Sequence, residues 1–85
     1  MAKLKMSFDP FNLTEIAFIL TDVGVNSFTV TECIAESCTV SFELPETNYP
    51  ELEQTIESEV ADKKLIGKVI ITKDDELGGR SFSRK

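Results

Sequence analysis

The amino-acid sequence predicts an α+β fold with the element order β-α-β-β-α-β, and three observations carry the prediction. Segments at residues 4–8, 28–31 and 38–44 alternate apolar with polar residues, the period of a strand with one buried face. Segments beginning at Leu13 and Leu52 space their apolar residues at three and four, the period of a helix with one buried stripe. Turn-forming residues, among them Asp9-Pro10, Gly24, Pro45, Pro50 and Gly67, fall between these segments.

In the first strand Leu4, Met6 and Phe8 alternate with Lys3, Lys5 and Ser7, and Asp9-Pro10 ends it. Asn12 followed three residues later by Glu15 has the form of a capping box, and Phe11 ahead of it is placed to staple onto Ile16, so a helix is expected from Leu13. Its apolar face reads Leu13, Ile16, Ala17, Leu20 and Val23. Gly24 supplies the left-handed residue that closes it, with Val25 packing back on Leu20. Phe28 and Val30 then alternate with Thr29 and Thr31, and Cys38, Val40, Phe42 and Leu44 with Thr39, Ser41 and Glu43. Because the core-facing residues of both strands are even-numbered, pairing them calls for an odd-length loop or a bulge. Parity points Cys38 to the core and Cys33 away from it, which favours ordinary thiols, while a Cys-x4-Cys hairpin also permits a disulfide.

Pro45 to Pro50 reads as a loop, and Asn48 with Glu51 as a second capping box ahead of Leu52, Ile56 and Val60. This helix has a narrow apolar stripe, with acidic residues early and Lys63 and Lys64 at its end to match the helix dipole. Gly67 is expected to break it, and Val69, Ile70 and Ile71 to form a fourth strand. Residues 74–85 carry too few apolar side chains to fold unaided, which divides the chain into a domain over 1–73 and a C-terminal tail over 74–85. The order is the ferredoxin-like one, a four-stranded antiparallel sheet with both helices on one face.

Composition bounds the function. Eighty-five residues allow one domain, and at this size a monomer buries only about 60–65% of its unfolded surface, so self-association is a natural source of further stability. The absence of His and Trp excludes Ser-His-Asp and Cys-His catalysis and His-ligated zinc. Two cysteines are too few for a disulfide scaffold, and the first residues lack the apolar stretch of a signal peptide, so a cytoplasmic chain is expected. The longest apolar run, residues 16–20, is far short of the roughly 20 residues of a membrane span, so no membrane insertion is expected.

A net charge of −6 argues against sequence-independent nucleic-acid binding. The charge is segregated, however. From Met6 to Asp62 there are twelve acids and no Lys or Arg, whereas residues 63–85 hold seven bases and three acids, a local +4. Such a basic patch on an acidic body suits a compact anion such as a nucleotide phosphate, beside the plainer reading of a solvated basic tail.

Three stretches then take on a further meaning. Pro10-Phe11-Asn12-Leu13-Thr14-Glu15, Gly24-Val25-Asn26 and Phe28-Thr29-Val30-Thr31-Glu32 together resemble the first third of the PII signal-transduction proteins. The run from Gly67 to Phe82, ending Gly78-Gly79-Arg80-Ser81-Phe82, is similar to the last strand and terminus of the PII-like branch associated with bicarbonate uptake and carboxysomes, the SbtB and CPII proteins. The chain is on these grounds identified as a PII-like signal-transduction protein of the PII/GlnB superfamily.

The resemblance implies a non-enzymatic regulatory protein: a homotrimer whose sheets line a central core, with adenine-nucleotide sites in the clefts between subunits. It implies that Thr29 helps hold the adenosine, that the loop before the fourth strand, here Lys63, Lys64, Gly67 and Lys68, meets the phosphates, and that Arg80 also reaches the ligand. ADP, AMP and ATP are the candidate ligands, with bicarbonate as a co-ligand, and a transporter or a carboxysomal or metabolic protein as partner. One departure is plain. The long loop that members carry between strands 2 and 3 is reduced to Cys33–Ser37, so a partner is expected to read another surface. Two other readings follow from the same residues: a PII-like trimer that has lost its ligand and serves as an interaction or scaffold module, and an unrelated ferredoxin-like monomer whose acidic second helix inhibits a DNA-binding enzyme.

Overall fold

A computed structural model describes residues 2–73 and 80–83 of the chain. Strand β1 (Ala2–Phe8) leads through a 3-10 turn at Pro10–Asn12 into helix α1 (Leu13–Asp22), and β2 (Phe28–Cys33) and β3 (Cys38–Leu44) form a hairpin. A second 3-10 turn at Glu46–Asn48 precedes α2 (Tyr49–Ala61), and β4 (Lys68–Lys73) and β5 (Arg80–Ser83) follow. Neighbouring strands are antiparallel throughout, in the order β2-β3-β1-β4-β5. The first four strands have the ferredoxin-like order. Residues 80–83, read from the sequence as tail, pair with β4, Ile71 opposite Arg80 and Lys68 opposite Ser83. So short a segment gains its order from the backbone groups that the edge of β4 leaves open, a source that apolar patterning does not register.

The expected alternation puts the core on one face of the sheet. Leu4, Met6 and Phe8 of β1 lie in register with Phe42, Val40 and Cys38 of β3, and Val69 and Ile71 of β4 join them; all are buried. Ile16, Ile19 and Leu20 of α1 and Leu52, Ile56 and Val60 of α2 complete the same cluster, so both helices cover this face. Burying a side chain of this size contributes about 1.5–3 kcal/mol. The other face is polar and open: Thr29, Ser41, Lys5 and Thr72 stand in one row across four strands, and Ser7 and Thr39 join hydroxyls at 3.0 Å in the next.

Helix α1 begins at Leu13 as the spacing predicts and closes as expected. Val25 donates its N–H to the Leu20 carbonyl at 2.8 Å, and Gly24 adopts φ +99°. The capping boxes, by contrast, are not formed. Neither Asn12 nor Asn48 makes a side-chain cap hydrogen bond to its own helix, because a 3-10 turn ahead of each α-helix satisfies the first N–H groups. Phe11 does not staple onto Ile16 but is 88% exposed. Asn12 instead is buried and holds the chain 54 residues away: its Nδ2 donates to the Ile66 carbonyl at 2.8 Å and its Oδ1 accepts from the Ile66 N–H at 2.9 Å. Asn48 does the converse, donating from Nδ2 to the Val23 carbonyl at 3.0 Å.

Helix α2 ends at Ala61, well ahead of the expected breaker Gly67. The residue that stops it is Lys63, at φ +65°, with the Lys64 N–H donating to the Glu59 carbonyl at 2.9 Å. Lys63 thus occupies the left-handed closing position that Gly24 occupies after α1, at a steric cost of roughly 1–2 kcal/mol for a residue with a Cβ.

Two stability predictions follow from these contacts. Asn12→Ala leaves the Ile66 N–H and carbonyl without the partner they share and lowers the unfolding free energy by about 2 kcal/mol, against about 1 kcal/mol for Asn48→Ala, read from urea denaturation midpoints. Lys63→Gly raises stability by about 0.5–1 kcal/mol, because the left-handed backbone then carries no Cβ; a fall in the midpoint would contradict the assigned helix closure.

Candidate functional site

The chain enters β2 through the loop that follows Gly24, and there β3 ends and β1 begins. The three strand ends and that loop surround an open depression of about 600 Å3, lined by Lys3, Gly24, Asn26, Ser27, Phe28, Thr29, Ser41, Phe42 and Glu43. Strand alternation decides what lines it. Thr29 sits opposite Ser41, and Lys3 opposite Glu43, so all four belong to the open face, while Phe28 and Phe42 form the neighbouring pair on the core face. The left-handed Gly24 lets the chain turn into β2 close beside Asn48, whose Nδ2 is 3.4 Å from where a Cβ would stand.

Of the residues expected to meet a ligand, Thr29 alone belongs to this depression. Lys63, Lys64 and Gly67 lie on the loop between α2 and β4, and Lys68 opens β4, two strands beyond β3. Counting strand spacings, Thr29 and β4 are roughly 14 Å apart across the sheet. Arg80 stands on β5 at the opposite edge from β2. Within one chain the two halves of the expected site therefore lie toward opposite edges of the sheet.

The basic half has a defined backbone. Lys63 and Gly67 are both left-handed, at φ +65° and +67°, and among the described residues nothing lies within 4 Å of where a Cβ on Gly67 would project. Asn12 holds both the N–H and the carbonyl of the intervening Ile66. Lys63, Lys64 and Lys68 are exposed, but Lys64 is partly engaged, its Nζ standing 3.6 Å from Oε2 of Glu59. Glu59 in turn lies against Glu15 of α1. The Glu15 carboxyl is raised from its ordinary value of 4.5 by hydrogen bonding to Glu59, then by partial burial and by the Glu59 charge, with Lys64 opposing. Two carboxyls and one ammonium thus bridge the helices just below the basic loop.

Sequence reasoning missed Lys3, Asn26, Ser27, Ser41 and Glu43. The signal was present in the alternation, which put Lys3, Ser41 and Glu43 on the polar face, but placing them beside Thr29 required the strand order. Gly78 and Gly79 of the expected terminus lie outside the described residues. Among the described residues no group of three or more His, Cys, Asp or Glu comes together to hold a metal ion, and no helix is long and apolar enough to cross a membrane.

Fold and depression together define an α+β domain with a ferredoxin-like strand order and an open polar sheet face. No protein-family model matches the chain, and no curated protein does.

The Glu15 carboxyl supplies a pH prediction. Its raised pKa means that the folded state favours the protonated form, so stability from this group is present below the ordinary value of 4.5 and is lost as pH rises through the raised value. Glu15→Gln, which imitates the protonated form, is expected to raise Tm at pH 7 and to leave it nearly unchanged at pH 4. A lower Tm at pH 7 contradicts the arrangement.

Proposed function

We propose that this protein is a PII-like regulatory protein that acts without catalysis, binding an adenine nucleotide at clefts between the subunits of a homotrimer. The observation that carries the reading is the placement of the two half-sites. The Thr29 depression is on the β2 side and the Lys63, Lys64, Gly67 and Lys68 loop with Arg80 on the β4–β5 side, so one chain supplies each half of a cleft and never both. Such a site needs a head-to-tail contact, in which unlike edges meet, and a closed ring of copies satisfies every edge. A two-fold dimer that joins like edges leaves each half-site alone.

In the cleft the roles divide by chemistry. The depression, with the hydroxyls of Thr29, Ser27 and Ser41 and the backbone beside Phe28 and Phe42, suits a nucleoside; the neighbour's lysines suit its phosphates. AMP and ADP fit this division best, since the hairpin tip that would cover a longer polyphosphate is reduced to Ile34–Ser37, and bicarbonate remains the candidate co-ligand beside the phosphates. A signalling role in cytoplasmic carbon or nitrogen metabolism, through a transporter or carboxysomal partner, belongs to the same reading. A second reading, a ligand-free trimer acting as an interaction module, is favoured by Glu43 in the depression and by the Lys64–Glu59 pair, both of which lower the local positive charge.

The decisive experiment measures mass and nucleotide binding in one sample. Light scattering is expected to give three times the 9.5 kDa chain, and calorimetry with AMP, ADP and ATP, with and without bicarbonate, to give micromolar dissociation constants. Thr29→Ala and Arg80→Ala are each expected to weaken binding about tenfold or more, equivalent to about 1.4 kcal/mol, without changing the mass. A trimer with no heat from any nucleotide leaves the scaffold reading; a monomer or two-fold dimer ends both.

A further inference from the structure

We infer that Cys33 and Cys38 form a thiol–disulfide exchange site at the tip of the β2–β3 hairpin, oxidised by low-molecular-weight disulfides of the glutathione class to an intramolecular cystine. Parity alone would set the two side chains on opposite faces of the sheet. The bulge between Val30 and Glu32 places one extra residue in β2 and reverses that relation, so Cys33 pairs directly with Cys38 across the ladder. The Ile34 N–H donates to the Ser37 carbonyl at 2.8 Å, which makes Ile34 and Ser37 the hydrogen-bonded pair that closes the tip. Pairs alternate along an antiparallel ladder, so Cys33 and Cys38 are the close, non-hydrogen-bonded pair, with Cα atoms about 4.5 Å apart, inside the range a disulfide spans. Both thiols are free.

Their surroundings differ, and the difference assigns the order of events. Cys33 is exposed, whereas Cys38 is fully buried under the helices. Burial, followed by the hydrogen bond and the charge of the neighbouring Cys33, pushes the Cys38 thiol up to about 11. Cys33 is therefore the sulfur that meets an external disulfide. It attacks one sulfur of the oxidised reagent, forming a mixed disulfide at Cys33 and releasing one thiolate. Cys38 then loses its proton and attacks the Cys33 sulfur, closing the intramolecular bond and releasing the second thiol. Two thiols and one external disulfide thus yield one cystine and two external thiols; the chain loses two electrons and two protons to the reagent. Closure is limited by deprotonation of Cys38, so its rate rises with pH. Capping of Cys33 removes the neighbour's two contributions and leaves burial alone holding the thiol protonated. A third ligand for a metal is absent among the described residues, which leaves exchange as the chemistry of the pair.

The test is equilibration of the whole folded chain with mixtures of reduced and oxidised glutathione, followed by acid quench and intact-mass measurement, repeated in concentrated urea. Wild type is expected to lose two hydrogens while remaining one chain. The folded form should have an equilibrium constant for closure at least tenfold larger than the unfolded chain, about 30 mV in potential, because the ladder holds the sulfurs together. Cys38→Ser is expected to retain one glutathionyl group on Cys33, and Cys33→Ser to acquire none while folded. Equal constants with and without urea, disulfide-linked dimers as the sole product, or glutathionylation of Cys33→Ser at the wild-type rate would each overturn the assignment. Should Cys38→Ser fail to fold, the comparison with urea and the exposed Cys33→Ser variant still decide, and neither depends on a nucleotide.

Discussion

Two amides organise the whole molecule, Asn12 buried and Asn48 half-buried. Asn12, ahead of α1, grips the chain after α2, and Asn48, ahead of α2, grips the chain after α1. Each helix entry is thereby tied to the other helix exit, and the domain closes on itself as two interlocked halves. An amide in a dry site is costly unless its hydrogen bonds are met, so the arrangement tolerates few alternative packings. Both bonds of Asn12 fall on the backbone of a single residue, which makes Ile66 a fixed point between two left-handed residues. The two segments so anchored, Val23-Gly24 and Ile66-Gly67, are those that border the two halves of the candidate site.

The same relation shows what the sequence could tell and what it could not. Local period was enough for the strands: Leu4, Met6 and Phe8 and Val40, Phe42 and Leu44 are buried as their alternation predicts, and Leu52, Ile56 and Val60 form the stripe of α2. Local chemistry misled at the asparagines. An Asn before a helix with an acid three residues on is the pattern of a cap, but it is also the pattern of a polar residue free to bond elsewhere once a 3-10 turn has met the helix end. The internal correspondence of the halves was equally hidden, because all that repeats is an Asn-x-x-Glu at each helix entry and the apolar spacing around it. Closure of α2 was misplaced for a related reason: the strained residue is a lysine, and glycine is the usual mark of that backbone.

The bulge in β2 is a second case in which one residue alters a conclusion. Its need was legible, since two even-numbered core faces cannot pair across an even loop, but its location was not. Placed after Val30, it keeps Phe28 on the core side, leaves Val30 at 46% exposure on the sheet edge, and turns Cys33 onto the face of Cys38. A bulge nearer the tip would have left the cysteines on opposite faces. The edge it bends is one of the two edges of the sheet, where an irregular, partly charged strand discourages indiscriminate pairing.

Charge also distinguishes the β2 side of the sheet from the β4–β5 side. The hairpin at the β2 edge carries Glu32, Glu36 and Glu43 and no base, whereas the described residues leading into β4 carry Lys63, Lys64 and Lys68 and no acid after Asp62. Joining like edges would bring carboxylates to carboxylates or ammonium groups to ammonium groups, and joining unlike edges would bring them to each other. Head-to-tail contact is therefore the electrostatically complementary one, independent of any ligand. That complementarity carries a consequence for binding. In the proposed ring a phosphate entering the seam would compete with the neighbour's Glu32 and Glu36 for the same lysines, so stronger carboxylate contacts without ligand would mean a weaker hold on a nucleotide. Salt screens the exposed carboxylate contacts more than it screens a partly enclosed phosphate, and assembly without ligand should accordingly be the more salt-sensitive of the two states.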